Sequence, residues 1–129
     1  MSEQKRLRVL IIDDNAAQCL GLSELLHIDG MTTYTAFDGV RGLDMARALK
    51  PDAVMLDVNM PRMDGFSFLR TLRRGAADVA TLPALVITTE AGEDDLRAAR
   101  AAGANFYLVK PVSQQDLVRH AAILSGAPA

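Results

Sequence analysis

Cysteine and aromatic residues are scarce in this sequence, which has one cysteine, no tryptophan, two tyrosines and four phenylalanines among 129 residues. Because Cys19 is the sole cysteine, no internal disulfide can form, as is typical of proteins in a reducing compartment. No apolar run approaches the ~20 residues needed to cross a bilayer, and residues 1–8 lack the apolar stretch of a signal peptide. These absences predict a cytoplasmic protein without a membrane partner.

An excess of basic residues is also absent, since 14 lysines and arginines stand against 16 aspartates and glutamates, for a net charge of -2. Nucleic-acid binding needs a clustered basic surface, and we interpret the short cluster of Lys5, Arg6 and Arg8 as a solvated lead-in to the first strand. No nucleic-acid partner is therefore expected. Half of the residues are hydrophobic, and a chain of this length can bury one core. We predict a single domain over 1–129, with a core at about 7–124 and a flexible tail at 125–129.

Two hydrophobic patterns alternate along the chain. Short continuous apolar runs have the length of buried strands, and a more polar run at 31–37 is typical of a strand nearer an edge. Segments with apolar residues at helical spacing lie between them. Five alternations of strand and helix predict an α/β fold, a doubly wound five-stranded parallel sheet flanked by five helices. The apolar runs span 7–12, 53–56, 84–87 and 106–109, and the helical stripes span 20–28, 43–49, 66–72, 94–102 and 117–124.

Polar residues capable of chemistry come at the ends of four of these strands. Asp13 and Asp14 follow the first strand, Asp57 ends the third, Thr88 ends the fourth and Lys110 follows the fifth. Because the carboxyl ends of parallel strands meet at one edge of a sheet, these side chains are expected to share a site. Each residue alone has an ordinary explanation, such as a helix cap, a turn or a surface charge. Their conjunction favours a functional site.

Three carboxylates in one pocket repel one another, by about 1 kcal/mol per pair at about 4 Å even in water. A fold tolerates them when one is protonated or a cation is bound, and an all-oxygen ligand set favours Mg2+, or Mn2+, over zinc. Lys110 adds a compact positive charge, and Thr88 adds a hydroxyl donor. The pocket therefore suits a tetrahedral anion, and we expect Asp57 to be the nucleophile that forms an aspartyl phosphate.

Four stretches of sequence surround these strand ends. They are the apolar run that ends in Asp13 and Asp14, MLDVNMPRMDG at 55–65, VITTEA at 86–91 and GANFYLVKP at 103–111. Together they resemble the receiver domain of bacterial two-component response regulators, in the right order and over nearly the whole chain. The resemblance implies the CheY-like, flavodoxin-like strand order 2-1-3-4-5.

The resemblance also implies a role for each acidic position. Asp57 would be the phosphoacceptor. Asp14 and Asp57 would hold the metal directly, and Asp13 would do so partly through water. Asn59 would contribute its backbone carbonyl to the same ion.

A switch is implied by the same family. Lys110 would bind a phosphoryl oxygen, and the bond between Lys110 and Pro111 is expected to be cis. Phosphorylation adds about -1.5 to -2 charges, and Thr88 would then move to hydrogen-bond the phosphoryl group, which lets Tyr107 turn inward. The partner-binding face would be formed by the fourth helix, the fifth strand and the fifth helix.

Three positions would tune how long the phosphoryl group lasts. Asn59 and Glu90 would lie beside the path of the hydrolysing water, and the small Asn59 predicts a short-lived phosphoryl state. Thr89 is a departure, because Ala or Gly is common there in the family, and its bulk would narrow access.

The phosphoryl donor would be a histidine kinase or a histidine phosphotransfer protein, and the target would be another protein, with the chain itself a monomer or weak dimer. No enzymatic turnover of an external substrate is expected. Two alternatives stay open: an interaction module that works without phosphorylation, and a Mg2+-dependent phosphohydrolase. The second usually places another acid two residues after the nucleophile, where this chain has Asn59.

Overall fold

A computed structural model describes residues 7–57, 65–89 and 92–124 of the chain. Five strands and six helices lie in these ranges, and one of the helices, Ala77–Ala80, is a single short turn. The elements are β1 (Arg8–Ile12), α1 (Ala16–Ile28), β2 (Thr32–Ala36), α2 (Gly39–Leu49), β3 (Ala53–Asp57), α3 (Gly65–Arg73), α4 (Ala77–Ala80), β4 (Ala84–Thr88), α5 (Glu93–Ala102), β5 (Phe106–Val109) and α6 (Gln114–Leu124).

The five strands form one parallel sheet in the order β2-β1-β3-β4-β5. This confirms the predicted doubly wound α/β fold, its strand order and the edge position of the polar strand β2. The five predicted helices are present, and α4 is an addition in the connection between α3 and β4. The predicted fourth and fifth helices are therefore α5 and α6.

Both faces of the sheet are buried. Because successive residues of a strand point to opposite sides, the strand residues divide between two cores. Val9 and Ile11 of β1 lie in a core with α1 and α6, whereas Leu10 and Ile12 lie in a second core with α2, α3 and α5. The helical members of the first core include Cys19, Leu26, Leu117 and Ala121, and those of the second include Leu43, Ala46, Phe68, Leu69, Leu72 and Ala102.

The apolar stripe predicted for helix α1 is only partly buried. Cys19 is buried, but Leu20 and Ile28, at the two ends of the predicted apolar stripe, are 61% and 73% exposed. Apolar residues occur on more than one side of this helix, so the sheet can cover only some of them. Of the helices in the described ranges, none is long and apolar enough to span a membrane.

The guanidinium of Arg73 connects the amino-terminal edge of β4 to the end of α5. It donates to the backbone carbonyls of Gly103, Ala80 and Leu82 and to Oδ1 of Asn105, at distances from 2.5 to 3.1 Å. Its acceptors come from two chain segments, one before β4 and one between α5 and β5, which hydrogen bonds between Ala84 and Asn105 also connect. Charged donors make the stronger protein hydrogen bonds, so this side chain fixes both loops against α3.

Candidate functional site

The carboxyl edge of the sheet brings the predicted site residues together. In the strand register, Ile12 pairs with Leu56 and Asp57 pairs with Ile87, so Asp13 and Asp57 end adjacent strands. Thr88 ends β4 opposite Val109, which places Lys110 one residue beyond the last pair. The site therefore arises from the alignment of β1, β3, β4 and β5, as the sequence pattern predicts.

The side chains of Asp13, Asp57 and Lys110 share one side of the sheet by strand alternation. Asp13 continues the phase of Val9 and Ile11, which face the core under α1 and α6. Met55, Phe106 and Leu108 face the same core. Asp57 comes two residues after Met55 and Lys110 two residues after Leu108, so their side chains point to the same side of the sheet. The site therefore lies where α1 begins, above the core that α1 and α6 cover.

Three carboxylates converge there. Asp13, Asp14 and Asp57 each offer a ligand oxygen, and the three oxygens lie within 4.8 Å of one another. Asp13 is buried with 2% of its surface exposed, Asp57 is half-buried and Asp14 is exposed. This gradient from a buried to an exposed carboxylate leaves an opening on the solvent side of the cluster.

Asp13 is held rigidly in this arrangement. Its Oδ1 accepts a hydrogen bond from the backbone N–H of Asn15 at 3.0 Å, and its own N–H donates to the Ala36 carbonyl at 3.0 Å. Burial is the main cause that raises the pKa of the Asp13 carboxyl, with a further contribution from the charges of Asp57 and Asp14. The Asn15 hydrogen bond and Lys110 oppose that rise. The Asp13 carboxyl is therefore harder to ionise than that of an exposed aspartate.

Lys110 supplies the positive charge opposite the acidic cluster. Its Nζ lies 3.5 Å from Oδ2 of Asp57, and its backbone N–H donates to the Thr88 carbonyl at 2.7 Å. The bond between Lys110 and Pro111 is cis. The ammonium group is thus directed to the same carboxylate that the sequence predicts to be the nucleophile.

Gln18 is a member of the site that the sequence did not indicate. With its side-chain nitrogen toward Asp13 and its oxygen toward Lys110, it donates to Asp13 Oδ2 at 3.0 Å and accepts from Lys110 Nζ at 2.5 Å. Asn15 caps α1 by accepting from the Gln18 N–H at 3.0 Å, which fixes the first turn of the helix.

The predicted switch residues lie on the other side of the sheet. Thr88 is buried with 1% exposure and continues the phase of Ala84 and Val86. Tyr107 pairs with Val86 and packs half-buried against the same core. Thr88 and Tyr107 therefore face the same way on neighbouring strands. Tyr107 also lines a surface groove between α5 and β5, with Leu96, Ala99, Arg100, Ala104, Asn105, Phe106 and Val109.

Two of the predicted tuning residues, Asn59 and Glu90, lie outside the described residues. The metal-ligand role expected for the Asn59 carbonyl falls outside them as well. Thr89 is exposed directly after β4. Its expected effect on the lifetime of the phosphoryl group stays a prediction.

The donor set fits a hard divalent cation. The converging ligands are carboxylate oxygens, and the nearest thiol, Cys19, is engaged with the Asp13 carbonyl at 3.3 Å. Burial raises the pKa of that thiol to about 11, with a smaller effect from Asp13 and Asp14. A protonated thiol is a poor metal ligand. Oxygen donors without a thiolate suit Mg2+ or Mn2+.

Comparisons with known proteins agree with this geometry. A family described as the response regulator receiver domain matches residues 9–122. The response regulator MprA of Mycobacterium avium is 39% identical over 112 residues, which are 87% of this chain and 48% of that protein. The transcriptional regulatory protein PrrA of Mycobacterium leprae is 40% identical over 111 residues, which are 86% of this chain and 46% of that protein. The chain thus spans about half the length of these curated relatives.

Solved structures resemble the chain over nearly its full length. The chemotaxis response regulator CheY4 of Vibrio cholerae has a TM-score of 0.86 at 31% identity and covers 93% of this chain and 99% of its own. A response regulator structure from Chloroflexus aurantiacus has a TM-score of 0.89 at 30% identity, with 95% and 99% coverage. Both likenesses extend across the sheet and the helices on its two faces.

Proposed function

Because the chain belongs to the response regulator receiver domain family of two-component systems, we propose that Asp57 accepts a phosphoryl group in a Mg2+-dependent reaction. Receiver domains receive this group from histidine kinases, and a histidine phosphotransfer protein is an alternative donor for this chain. One observation carries the proposal: oxygens of the three carboxylates lie within 4.8 Å of one another, and Oδ2 of Asp57 lies 3.5 Å from the Lys110 ammonium group.

The reaction transfers a phosphoryl group from a histidine nitrogen of the donor to a carboxylate oxygen of Asp57. A carboxylate oxygen of Asp57 attacks the phosphorus of a phosphohistidine, a P–O bond forms, and the P–N bond breaks. The imidazole leaves with the electron pair of that bond and takes up a proton. Lys110 provides positive charge beside the phosphoryl oxygens, where preorganised charge is most effective in a partly desolvated site.

Asp13, Asp14 and Asp57 would hold the Mg2+, together with the Asn59 carbonyl that the family pattern implies. When bound, the ion neutralises the acidic cluster and provides open positions for phosphoryl oxygens. Asp13 is restrained by the Asn15 N–H at 3.0 Å, so its carboxylate is oriented before the ion arrives. Asp14 is exposed on the solvent side, so the ion and the phosphoryl donor can reach the site from that side.

The signal would pass from the site to a partner through Thr88 and Tyr107, which share one side of the sheet. A hydrogen bond from Thr88 to a charged phosphoryl group is worth about 1.5–3 kcal/mol, enough to shift a side-chain equilibrium at Tyr107. The face formed by α5, β5 and α6 would bind a downstream protein. Tyr107→Ala should abolish the difference in partner affinity between the phosphorylated and unphosphorylated forms; an undiminished difference contradicts this coupling.

We expect the phosphoryl group to be short-lived and the chain not to turn over external substrates. Asn59 and Glu90 would border the path of the hydrolysing water, and Thr89 would narrow it. A phosphoryl lifetime of hours in the isolated protein would contradict the prediction. Steady turnover of phosphate monoesters would instead indicate a phosphohydrolase.

Intact-mass spectrometry after incubation with acetyl phosphate tests the proposal. The wild type should gain one phosphoryl group with Mg2+, lose it with time, and gain none in excess chelator. Asp57→Asn should gain none, whereas Asp44→Asn, an exposed change on α2, should behave as wild type. No gain in the wild type under any condition would reject the phosphoacceptor and favour a phosphorylation-independent interaction module.

A further inference from the structure

Gln18 lies where the first turn of α1 meets the carboxyl edge of the sheet. The helix packs on the side of the sheet that Asp13 and Lys110 continue, so a long polar side chain in its first turns can reach both residues. The Asn15 cap holds this turn through the Gln18 N–H. The position of Gln18 is therefore set by the backbone of α1 rather than by its own side-chain contacts.

The two neighbours of the Gln18 side chain determine how its amide is oriented. An ionised carboxylate can only accept hydrogen bonds and an ammonium group can only donate them. The orientation that satisfies both directs Nε2 to Asp13 Oδ2 at 3.0 Å and Oε1 to Lys110 Nζ at 2.5 Å. The reverse orientation would set donor against donor and acceptor against acceptor.

Within the part of the chain that the structure describes, the Gln18 side-chain oxygen lies closer to the Lys110 ammonium group than the Asp57 carboxylate does. Nζ is 2.5 Å from the Gln18 oxygen but 3.5 Å from Oδ2 of Asp57. An ammonium group has three N–H donors on a flexible four-carbon stem. The amide can therefore occupy one donor while another stays directed at Asp57.

We propose that Gln18 is a positioning residue that anchors the Lys110 ammonium beside Asp57 and links it to Asp13. The proposal deepens the phosphoacceptor function and rests on it for its consequence, although the anchor itself exists without a phosphoryl group or metal. If the Lys110 side chain is held in place before the phosphoryl donor binds, less conformational entropy has to be lost in the transition state. Gln18 touches neither reacting atom in this arrangement, and acts through Lys110.

The ammonium group can be observed directly by 15N NMR of the lysine side chains in metal-free, unphosphorylated protein. A hydrogen-bonded ammonium exchanges its protons slowly and gives a resolved signal, which Lys110→Arg assigns by its disappearance. In Gln18→Met, which keeps the side-chain length without hydrogen bonds, the Lys110 signal should broaden or vanish. Gln115→Met, the same change at an exposed site on α6, should leave the signal intact.

Gln18→Glu separates the two contacts of the amide. A carboxylate at position 18 can still accept from Lys110 but cannot donate to Asp13. The Lys110 signal should therefore persist in Gln18→Glu and be lost in Gln18→Met. Equal signals in Gln18→Met and the wild type would overturn the anchor.

The consequence for phosphorylation is measured with the same variants. The Mg2+-dependent rate of phosphorylation by acetyl phosphate should fall roughly tenfold in Gln18→Met, less than the ~10²-fold loss that a 1 Å misplacement can cause, and should be unchanged in Gln115→Met. An unchanged rate in Gln18→Met overturns the positioning role. If the wild type itself takes up no phosphoryl group, the proposed function has failed, while the Lys110 signal still decides whether the anchor exists.

Discussion

Replacing Asp13 by Asn should stabilise the protein in the absence of divalent cations. Asp13 has 2% exposure, and its ligand oxygen lies within 4.8 Å of those of Asp14 and Asp57. At that 4.8 Å limit the repulsion of one pair is ~0.9 kcal/mol in water and ~3.5 kcal/mol at an effective dielectric constant of ~20. The attraction of Lys110 and the hydrogen bond that Gln18 donates to Asp13 Oδ2 offset part of this repulsion. We therefore expect a gain of about 1 kcal/mol in the free energy of unfolding.

The pH dependence of that gain follows from the sign of the pKa change. Burial and the neighbouring carboxylates raise the pKa of Asp13 in the folded protein above its ordinary value of 3.8. The folded state then binds the proton more tightly than the unfolded chain, so the wild type loses stability as the pH rises from 3.8 through the folded pKa. The asparagine amide does not titrate, so position 13 makes no such pH-dependent contribution in Asp13→Asn. The difference between Asp13→Asn and the wild type should therefore be smallest below pH 3.8 and level off above the folded pKa of Asp13.

Urea unfolding in chelator over this pH range measures the difference, with Asp44→Asn as the control for removal of an exposed acid. Added Mg2+ should then reverse the ranking, because a ligand that binds only the folded state stabilises it in proportion to the logarithm of its concentration. The wild type should gain stability and Asp13→Asn should gain less. A variant that is less stable than the wild type at neutral pH in chelator, or a gain independent of pH, would refute the reasoning.

Two matched pairs test the packing that carries the site. A Cβ at Gly42 would lie 2.7 Å from Cδ1 of Ile12, so Gly42→Ala should lower the free energy of unfolding by about 1–3 kcal/mol. A Cβ at Gly21, within α1, would meet open space, so Gly21→Ala should raise the free energy of unfolding by about 0.5–1 kcal/mol. Arg73→Met should cost about 2–4 kcal/mol because it leaves several carbonyls without their charged donor, whereas Arg74→Met, at an exposed residue, should stay within about 0.5 kcal/mol. Urea unfolding measures all four; equal effects within either pair would contradict the packing described.

The strands were predictable because a parallel sheet buried on both faces imposes continuous apolar runs, and β1, β3, β4 and β5 have them. The short helix Ala77–Ala80 was missed because four residues are too few to display a helical period. The exposure of Leu20 and Ile28 was also missed. Helix α1 carries more apolar residues than one face can hold, and spacing alone cannot tell which of them the sheet covers.

The acidic site was largely predictable because strand ends in a parallel sheet meet by topology, which brings Asp13, Asp57 and Lys110 together whatever the details of packing. Gln18 was not predictable in the same way. Its contact with Lys110 joins residues 92 positions apart in the sequence, and it depends on how far α1 leans over the sheet edge. That angle is set by core packing of Cys19 and Leu26, which no local pattern encodes.

Chemical trapping of the phosphorylated residue tests the central claim most directly. Protein treated with acetyl phosphate and Mg2+ is reduced with borohydride, which converts an aspartyl phosphate to homoserine, and its peptides are sequenced by mass spectrometry. We predict homoserine at position 57, in amounts that fall when chelator replaces Mg2+. Homoserine at another aspartate, or its absence from a protein that has gained a phosphoryl group, would contradict the assignment of Asp57 as the phosphoacceptor.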